Sequence, residues 1–350
     1  MSAHRNVVVV GASAGGVEAL RSLVAGLPPD FAGAVLVVLH LPRDAPSALA
    51  AILTRSGPVP AFTAVDGETL TSGRVYVAPS DHHILLVDGH IRLTRGPAEN
   101  GHRPAADPLF RSAARGYGPQ AVGVVLSGSR DDGAAGLATI AAHGGTTVVQ
   151  DPADAMYPSM PQSAMDHVKP DHILPAAKIG GLLAGLTGEH PLAEPSPVVD
   201  RLLDAEVAIS GLAPVTADDM SSIPAGYGCP ACGGSLFEIV GAAMPRYRCR
   251  VGHAWSPESL LDEQAIALEG ALWMALRALE EKSALSRRMA DARFGRETRT
   301  RLRFRSIAED AESAGATLRQ LIADLGSSAA QTRDTASPAP PPADLPGEVR

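Results

Sequence analysis

Three stretches of this sequence carry side chains suited to covalent chemistry, and a fourth carries metal ligands. The first is Gly11-Ala12-Ser13-Ala14-Gly15-Gly16, between the apolar run Val7–Val10 and the helix-like Val17-Glu18-Ala19-Leu20. A strand that passes through a glycine turn into a helix serves two chemistries. In a nucleophile elbow, G-x-S-x-G exposes a serine hydroxyl on a strained turn, and the helix N-terminus offers N–H groups to an oxyanion. In a dinucleotide fold the same turn holds a pyrophosphate. The turn alone leaves both open, along with a plain strand-to-helix connection.

The second stretch, Val35-Leu36-Val37-Val38-Leu39, ends in His40. A ribose-binding fold needs Asp or Glu about 20 residues past the glycines, and here the strand delivers an imidazole. A histidine leaving a strand at the C-terminal edge of a sheet is a general-base candidate, because its ordinary pKa lies near neutrality. The third stretch, Val124-Val125-Leu126-Ser127-Gly128-Ser129-Arg130-Asp131-Asp132-Gly133, again runs from strand into a Gly-rich turn and brings carboxylates to the same edge. Serine, histidine and aspartate at neighbouring strand ends have the geometry in which an acid orients a histidine that deprotonates a serine. One of Asp131 and Asp132 is expected to serve a turn or a helix cap.

All three cysteines fall in the pattern Cys229-x2-Cys232-x16-Cys249-x3-His253. Three thiolates and an imidazole in two knuckles supply the donors of a closed tetrahedral zinc site. A redox C-x-x-C normally follows a strand of a thioredoxin-like unit, and none surrounds this one. A structural zinc is therefore the expected metal, folding a segment too small to fold unaided.

The elements that must position these residues follow from the hydrophobic pattern. Short apolar runs at Asn6–Val10, Val35–His40, Arg74–Ala78, Ile84–Leu86, Ala121–Ser127 and Thr146–Gln150 alternate with helix-like stretches. Continuously apolar, β-branched strands fit a parallel sheet covered on both faces. The fold class is thus α/β, a doubly wound and mostly parallel sheet. Gly73–Leu93, with a turn at Asp88-Gly89, reads as an inserted antiparallel hairpin or sheet edge. A small zinc ribbon and a helical hairpin should follow the sheet. The expected boundaries are 1–188 for the catalytic domain, 189–224 for a linker with a short amphipathic candidate at Val198–Ser210, and 225–256 for the ribbon. Long helices over 257–325 and a disordered, Pro-rich tail over 326–350 complete the chain. Ser256-Pro257-Glu258 is a strong helix start, and Phe294-Gly295 should break the helical stretch in two.

With 350 residues, 45% hydrophobic and 19% charged, the chain is long enough for about two domains and is neither a disulfide scaffold nor a disordered protein. No run approaches the ~20 apolar residues of a membrane span, so the cytoplasm is the expected location. A net charge of −8 argues against nucleic-acid binding by the molecule as a whole. Arg296, Arg299 and Arg303 share one helical face, which reads as a solvated charged face rather than a binding surface. Trp255 and Trp273 read as core anchors of ribbon and helix. The helices offer a surface for self-association.

Residues 5–187 resemble the catalytic domain of the bacterial chemotaxis protein-glutamate methylesterases of CheB type. The likeness rests on Gly11-Ala12-Ser13-Ala14-Gly15-Gly16, His40-Leu41-Pro42, Ala78-Pro79-Ser80-Asp81-His82-His83, Leu126-Ser127-Gly128 with Asp132-Gly133-Ala134, and Met160-Pro161-Gln162-Ser163-Ala164. The resemblance implies Ser13 as nucleophile, His40 as base and acid, and Asp132 as the orienting carboxylate. It also implies methylated chemoreceptors or related sensors as partners, glutamine deamidation as a second activity, and no cofactor for catalysis. Backbone N–H groups of Ala14 and Ser129 are the expected oxyanion donors. Three positions depart from the family pattern: Ala14 where threonine is usual, and Ser129-Arg130 where Met-Gly is usual. Arg130 brings a cation beside the site, to alter substrate choice or to pair with Asp131. The family's N-terminal receiver domain is also expected to be missing. A catalytically weakened scaffold that recruits partners through the ribbon and helices is the alternative.

Overall fold

The computed structural model describes residues 6–44, 47–187, 197–215, 221–242, 244–291 and 299–335. It divides into two compact units, Met1–Glu263 and Gln264–Arg350.

The first unit is built on a seven-stranded sheet of β1 (Val7–Ala12), β2 (Ala34–Leu39), β3 (Ala61–Thr63), β4 (Arg74–Val77), β7 (Ala121–Val125), β8 (Thr146–Gln150) and β9 (His172–Leu174). Its order is β3-β4-β2-β1-β7-β8-β9, and every pairing is parallel. Side chains alternate across a strand, so the valines of β1 serve two cores. Val7 and Val9 pack with Leu109 and Phe110 of α3 (Ala106–Tyr117), Leu137 of α4 (Ala134–Ala142) and Met160 of α5 (Ser159–His167). Val8 and Val10 pack on the other face with Leu20 and Leu23 of α1 (Gly16–Ala25), Leu53 of α2 (Leu49–Ser56), and Ile179 and Leu183 of α6 (Ala176–Thr187). That is the physical reason these strands read as apolar throughout.

Within Gly73–Leu93 only part of the segment is an insertion. β4 lies inside the parallel sheet, between β2 and β3. The antiparallel hairpin is β5 (His83–Val87) with β6 (His90–Thr94), turning at Asp88-Gly89 with φ of 48° and 77°. Two positive φ values are what the tight hairpin turn requires. β3 had no sequence signal, because only Ala61 of its three residues is buried.

Between the sheet and the ribbon, α7 (Arg201–Ser210) is capped by Asp200, whose side chain accepts the Leu203 N–H at 3.1 Å. Leu203 and Val207 enter the same core as α3, so this stretch is packed rather than a free tether. Strands β10 (Ser222–Gly228), β11 (Ser235–Ile239), β12 (Tyr247–Cys249) and β13 (Ala254–Trp255) form a separate antiparallel sheet. Its small core is Cys229, Leu236, Cys249, Trp255 and Leu260. α8 (Pro257–Asp291) starts as its sequence demands, with Ser256 Oγ accepting the Ser259 N–H at 3.1 Å.

The second unit holds the rest of α8 and α9 (Arg299–Thr335), which extends past the end expected at residue 325. Glu280 pairs with Arg319, and Arg287 with Glu312, which sets the two helices antiparallel. Leu276, Ala290, Ala308 and Ala311 are buried there, whereas Trp273 is 52% exposed and is not a core anchor. The break at Phe294-Gly295, Arg296 and the tail beyond Thr335 lie outside the described residues. No described helix is long and apolar enough to cross a membrane.

Candidate active site

Ser13 follows β1 directly, His40 follows β2, and Asp132 lies in the loop between β7 and α4. The strand order reverses about β1, with β2 on one side and β7 on the other, and the crevice at such a switch point is where open α/β sheets place ligands. Ser13 is half-buried, its N–H donating to Ser127 O at 3.0 Å. Gly128 lets the third loop close on it: a Cβ there would stand 2.9 Å from the Ser13 Cβ. Among the described residues, neither the Ala14 nor the Ser129 N–H has an acceptor within the chain.

His40 Nε2 lies 2.7 Å from Asp132 Oδ2, with side chains only 5% and 1% exposed. The other ring nitrogen, Nδ1, is buried and has no hydrogen-bond partner among the described residues. With Nε2–H donated to Asp132, Nδ1 is the nitrogen left to accept a proton. No hydrogen bond joins Ser13 Oγ to the ring among the described residues.

Asp132 sits at the N-terminus of α3. Its Oδ2 accepts the Ala106 N–H at 2.6 Å, and its Oδ1 accepts the Asp107 N–H at 3.3 Å and Asn100 Nδ2 at 3.2 Å. Burial pushes this carboxyl up, but the His40 hydrogen bond and charge and the Ala106 N–H outweigh it and hold Asp132 at about 2. Asp107 returns the favour at α4, its Oδ1 accepting the Gly133 N–H at 3.1 Å and the Gly136 N–H at 2.7 Å. Burial, and then the Asp132 charge, raise Asp107 to about 7. The two helices thus cap each other crosswise.

Asp132 thus takes the helix-cap role expected of one of the two aspartates, but at α3 and not at α4, the helix that follows it. Asp131 Oδ1 instead accepts the Ser259 hydroxyl at 2.6 Å. Arg130 does not pair with Asp131 either; it reaches Asp262 at 3.2 Å and Glu263 at 2.8 Å. Both contacts come from α8, which the local sequence around Arg130 does not reveal.

Sequence reasoning missed the loop that precedes α3. His102 stacks on His40 with ring centroids 3.8 Å apart and planes 9° from parallel. Burial, and then the neighbouring His40, depress His102 to about 3, so its ring is neutral and adds no positive charge against His40. Asn100 bridges Asp107 and Asp132. A signal existed: the polar run Glu99-Asn100-Gly101-His102-Arg103 stands before a helix, and helix N-termini in such sheets lie at the edge where strands end. Within the Ala78–His83 motif, Asp81 binds Arg103 at 2.6 Å, and His83 Nε2 lies 3.0 Å from Pro97 O. Both hold this loop rather than meet a substrate.

Cys229, Cys232, Cys249 and His253 converge as their spacing implies, with one donor atom from each within 4.8 Å of the others. Cys229 Sγ and Cys249 Sγ lie 3.8 Å and 3.6 Å from His253 Nδ1, and Cys232 Sγ lies 3.7 Å from Cys249 Sγ. A tetrahedron with zinc–sulfur bonds near 2.3 Å has edges of about 3.8 Å, so the four residues can hold such an ion. Trp255 Nε1 donates to Cys229 Sγ at 3.4 Å, the outer support that metal thiolates commonly receive.

A buried ion network joins this ribbon to α3, to the loop before it and to α7. Glu99 binds Arg111 at 2.6 Å, Arg248 at 3.1 Å and Arg246 at 3.2 Å, and Glu206 of α7 binds Arg246 at 2.6 Å. Burial pushes Glu99 up, but the three guanidinium groups outweigh it and hold it well below the usual carboxylate range.

The sequence profile of the CheB methylesterase family matches residues 8–183. The protein-glutamate methylesterase/protein-glutamine glutaminase 2 of Anaeromyxobacter dehalogenans (strain 2CP-C) is 40% identical over 186 residues, covering 53% of this chain and 54% of the relative. Its counterpart 1 from Xanthomonas euvesicatoria pv. vesicatoria (strain 85-10) is 37% identical over 187 residues, with 52% of each chain covered. This chain therefore spans about half the length of the curated relatives it matches. The crystal structure of the Thermotoga maritima CheB methylesterase catalytic domain superposes with a TM-score of 0.50 at 32% identity, covering 52% of this chain and 98% of that one. The chain belongs to the CheB methylesterase family.

Proposed function

We propose that the protein is a serine hydrolase that removes methyl esters from glutamate side chains of chemoreceptors or related sensors, and that it deamidates glutamine at the same site. The observation that carries this reading is the buried His40–Asp132 pair at 2.7 Å, whose Nδ1 has no partner among the described residues, at the sheet edge that also carries Ser13. Ser13 Oγ attacks the ester carbonyl and gives its proton to His40 Nδ1, while Asp132 stabilises the imidazolium. The N–H groups of Ala14 and Ser129 are the oxyanion donors, each typically worth about 3–4 kcal/mol of transition-state stabilisation. Collapse returns the proton to the leaving oxygen, so methanol departs and an acyl-Ser13 ester remains. Water activated by His40 then releases the glutamate and regenerates Ser13. With a glutamine side chain the leaving group is ammonia. The half-buried serine suits a side chain presented by a protein surface. The cytoplasm is the proposed location, and the catalytic steps draw only on these residues.

The Cys229, Cys232, Cys249 and His253 cluster is proposed to hold a structural zinc. With four protein ligands its shell is closed, so the ion would stabilise the ribbon rather than bind substrate. The scaffold alternative has no observation of its own, and an assembled acid–base pair favours hydrolysis. The test is methanol release from methylated chemoreceptor membranes by the wild type and by Ser13→Ala. Release that vanishes with Ser13→Ala supports the reading. It is falsified if the folded wild type releases no methanol, or if Ser13→Ala releases it as fast.

A further inference from the structure

The family match ends at residue 183, yet contacts from residues 254–263 reach the loop that carries the catalytic acid. The Ser256 N–H donates to Asn100 Oδ1 at 2.9 Å, and the Asn100 N–H donates to Ala254 O at 2.8 Å. Asn100 Nδ2 then donates to Asp132 Oδ1 at 3.2 Å and to Asp107 Oδ2 at 3.3 Å. One turn further, Ser259 Oγ donates to Asp131 Oδ1 at 2.6 Å, and Asp262 and Glu263 hold Arg130. Asn100, Asp131, Ser256 and Ser259 are all 3% exposed or less.

An asparagine amide can face either way, and its two ends have opposite hydrogen-bonding character. At Asn100 the Ser256 N–H claims the oxygen, which leaves the NH2 group to face the two aspartates. The reverse orientation would set a carbonyl oxygen against the Asp132 carboxylate and an amide N–H against the Ser256 N–H. The junction between ribbon and helix therefore selects the orientation in which Asn100 supports the acid. Ser259 acts likewise on the neighbouring residue, fixing the other side of the short turn from Arg130 to Gly133.

We infer that Asn100 is a positioning residue for Asp132, oriented by the Ser256 N–H, and that Ser259 fixes the same loop through Asp131. The segment from Ala254 to Glu263 is then part of the apparatus that holds the esterase geometry, not an appended module. This rests on the esterase reading above.

The experiment compares wild type, Asn100→Asp and Ser259→Ala on a methylated receptor preparation, with zinc content and thermal melting as controls for folding. Asn100→Asp keeps an acceptor for Ser256 but replaces the NH2 donor with a charge that repels Asp132. Ser259→Ala removes one hydroxyl and leaves ribbon and metal ligands untouched. The expected result is a kcat lower by about 10- to 100-fold with KM nearly unchanged, as for loss of positioning without loss of binding. Amide exchange over residues 128–133 should also quicken in both variants. Should Asn100→Asp fail to fold, Ser259→Ala carries the test. Ser13-dependent turnover with wild-type kcat in the folded variants, or a rise in KM alone, overturns this inference only. A wild type without Ser13-dependent turnover overturns the esterase reading and this inference with it.

Discussion

Arg111 and Glu99 approach to 2.6 Å in the first unit, and Arg287 and Glu312 to 2.7 Å in the second. Their chemistry and distances match, but the side chains of the first pair are 0% and 1% exposed and those of the second 59% and 46%. A buried pair has given up hydration and depends on its partners to recover it, whereas an exposed pair trades water for a partner at little net gain. The first unit uses such desolvated groups to fix geometry: the same logic holds His40 against Asp132 and ties Arg246 and Arg248 to Glu99 and Glu206. The helical hairpin uses charge to keep a helix pair in solvent.

The strongest way to break this comparison is at the acid. Asp132→Asn should lower kcat by about 10⁴-fold, as expected when the orienting carboxylate is lost and the tautomer is wrong. Steady-state kinetics beside a melting curve checks it, and a loss below tenfold would remove Asp132 from the orienting role. A smaller but still large effect is expected at Glu99. Glu99→Gln leaves three guanidinium groups facing one carboxylate and should destabilise the first unit by about 3–5 kcal/mol in urea unfolding. The same variant sharpens the pH dependence. The pKa of Glu99 is depressed in the folded state, so it binds fewer protons there than when unfolded. Its stabilisation is therefore present above the ordinary glutamate pKa of about 4.3 and is lost as the pH falls below it. Acid unfolding should be shallower in Glu99→Gln than in wild type. At the small end, Arg287→Ala should leave both turnover and the urea midpoint of the first unit where they are. A shift there would mean that exposure does not separate the two pairs.

Much of the candidate site was legible because its parts obey local rules. Val7–Val10 and Val35–Leu39 could only be covered strands, so Ser13 and His40 had to emerge at one edge. The cysteine spacing specified its own cluster, because each knuckle closes over a few residues: Gly233 N–H reaches Cys229 O, and Gly252 N–H reaches Cys249 O. The trace of the 73–93 segment was less legible, since a short strand entering a parallel sheet and one entering a hairpin share the same alternation. Which helix the aspartate caps was less legible still. A turn aspartate beside a helix start ordinarily serves that helix, but here α3 and α4 exchange Asp132 and Asp107 across the fold.

By itself the sequence determined the main strands and helices, the sheet edge at which Ser13, His40 and Asp132 emerge, and the cysteine and histidine cluster that can hold a metal, because periodicity, turn chemistry and ligand spacing act over a few residues. Only the tertiary structure decided which partners those groups meet. His102 on His40, Ser259 on Asp131, Glu263 on Arg130 and Arg248 on Glu99 join residues separated by up to 149 positions. A buried polar group takes whichever partner the packed core presents to it, and chain distance carries no trace of that choice.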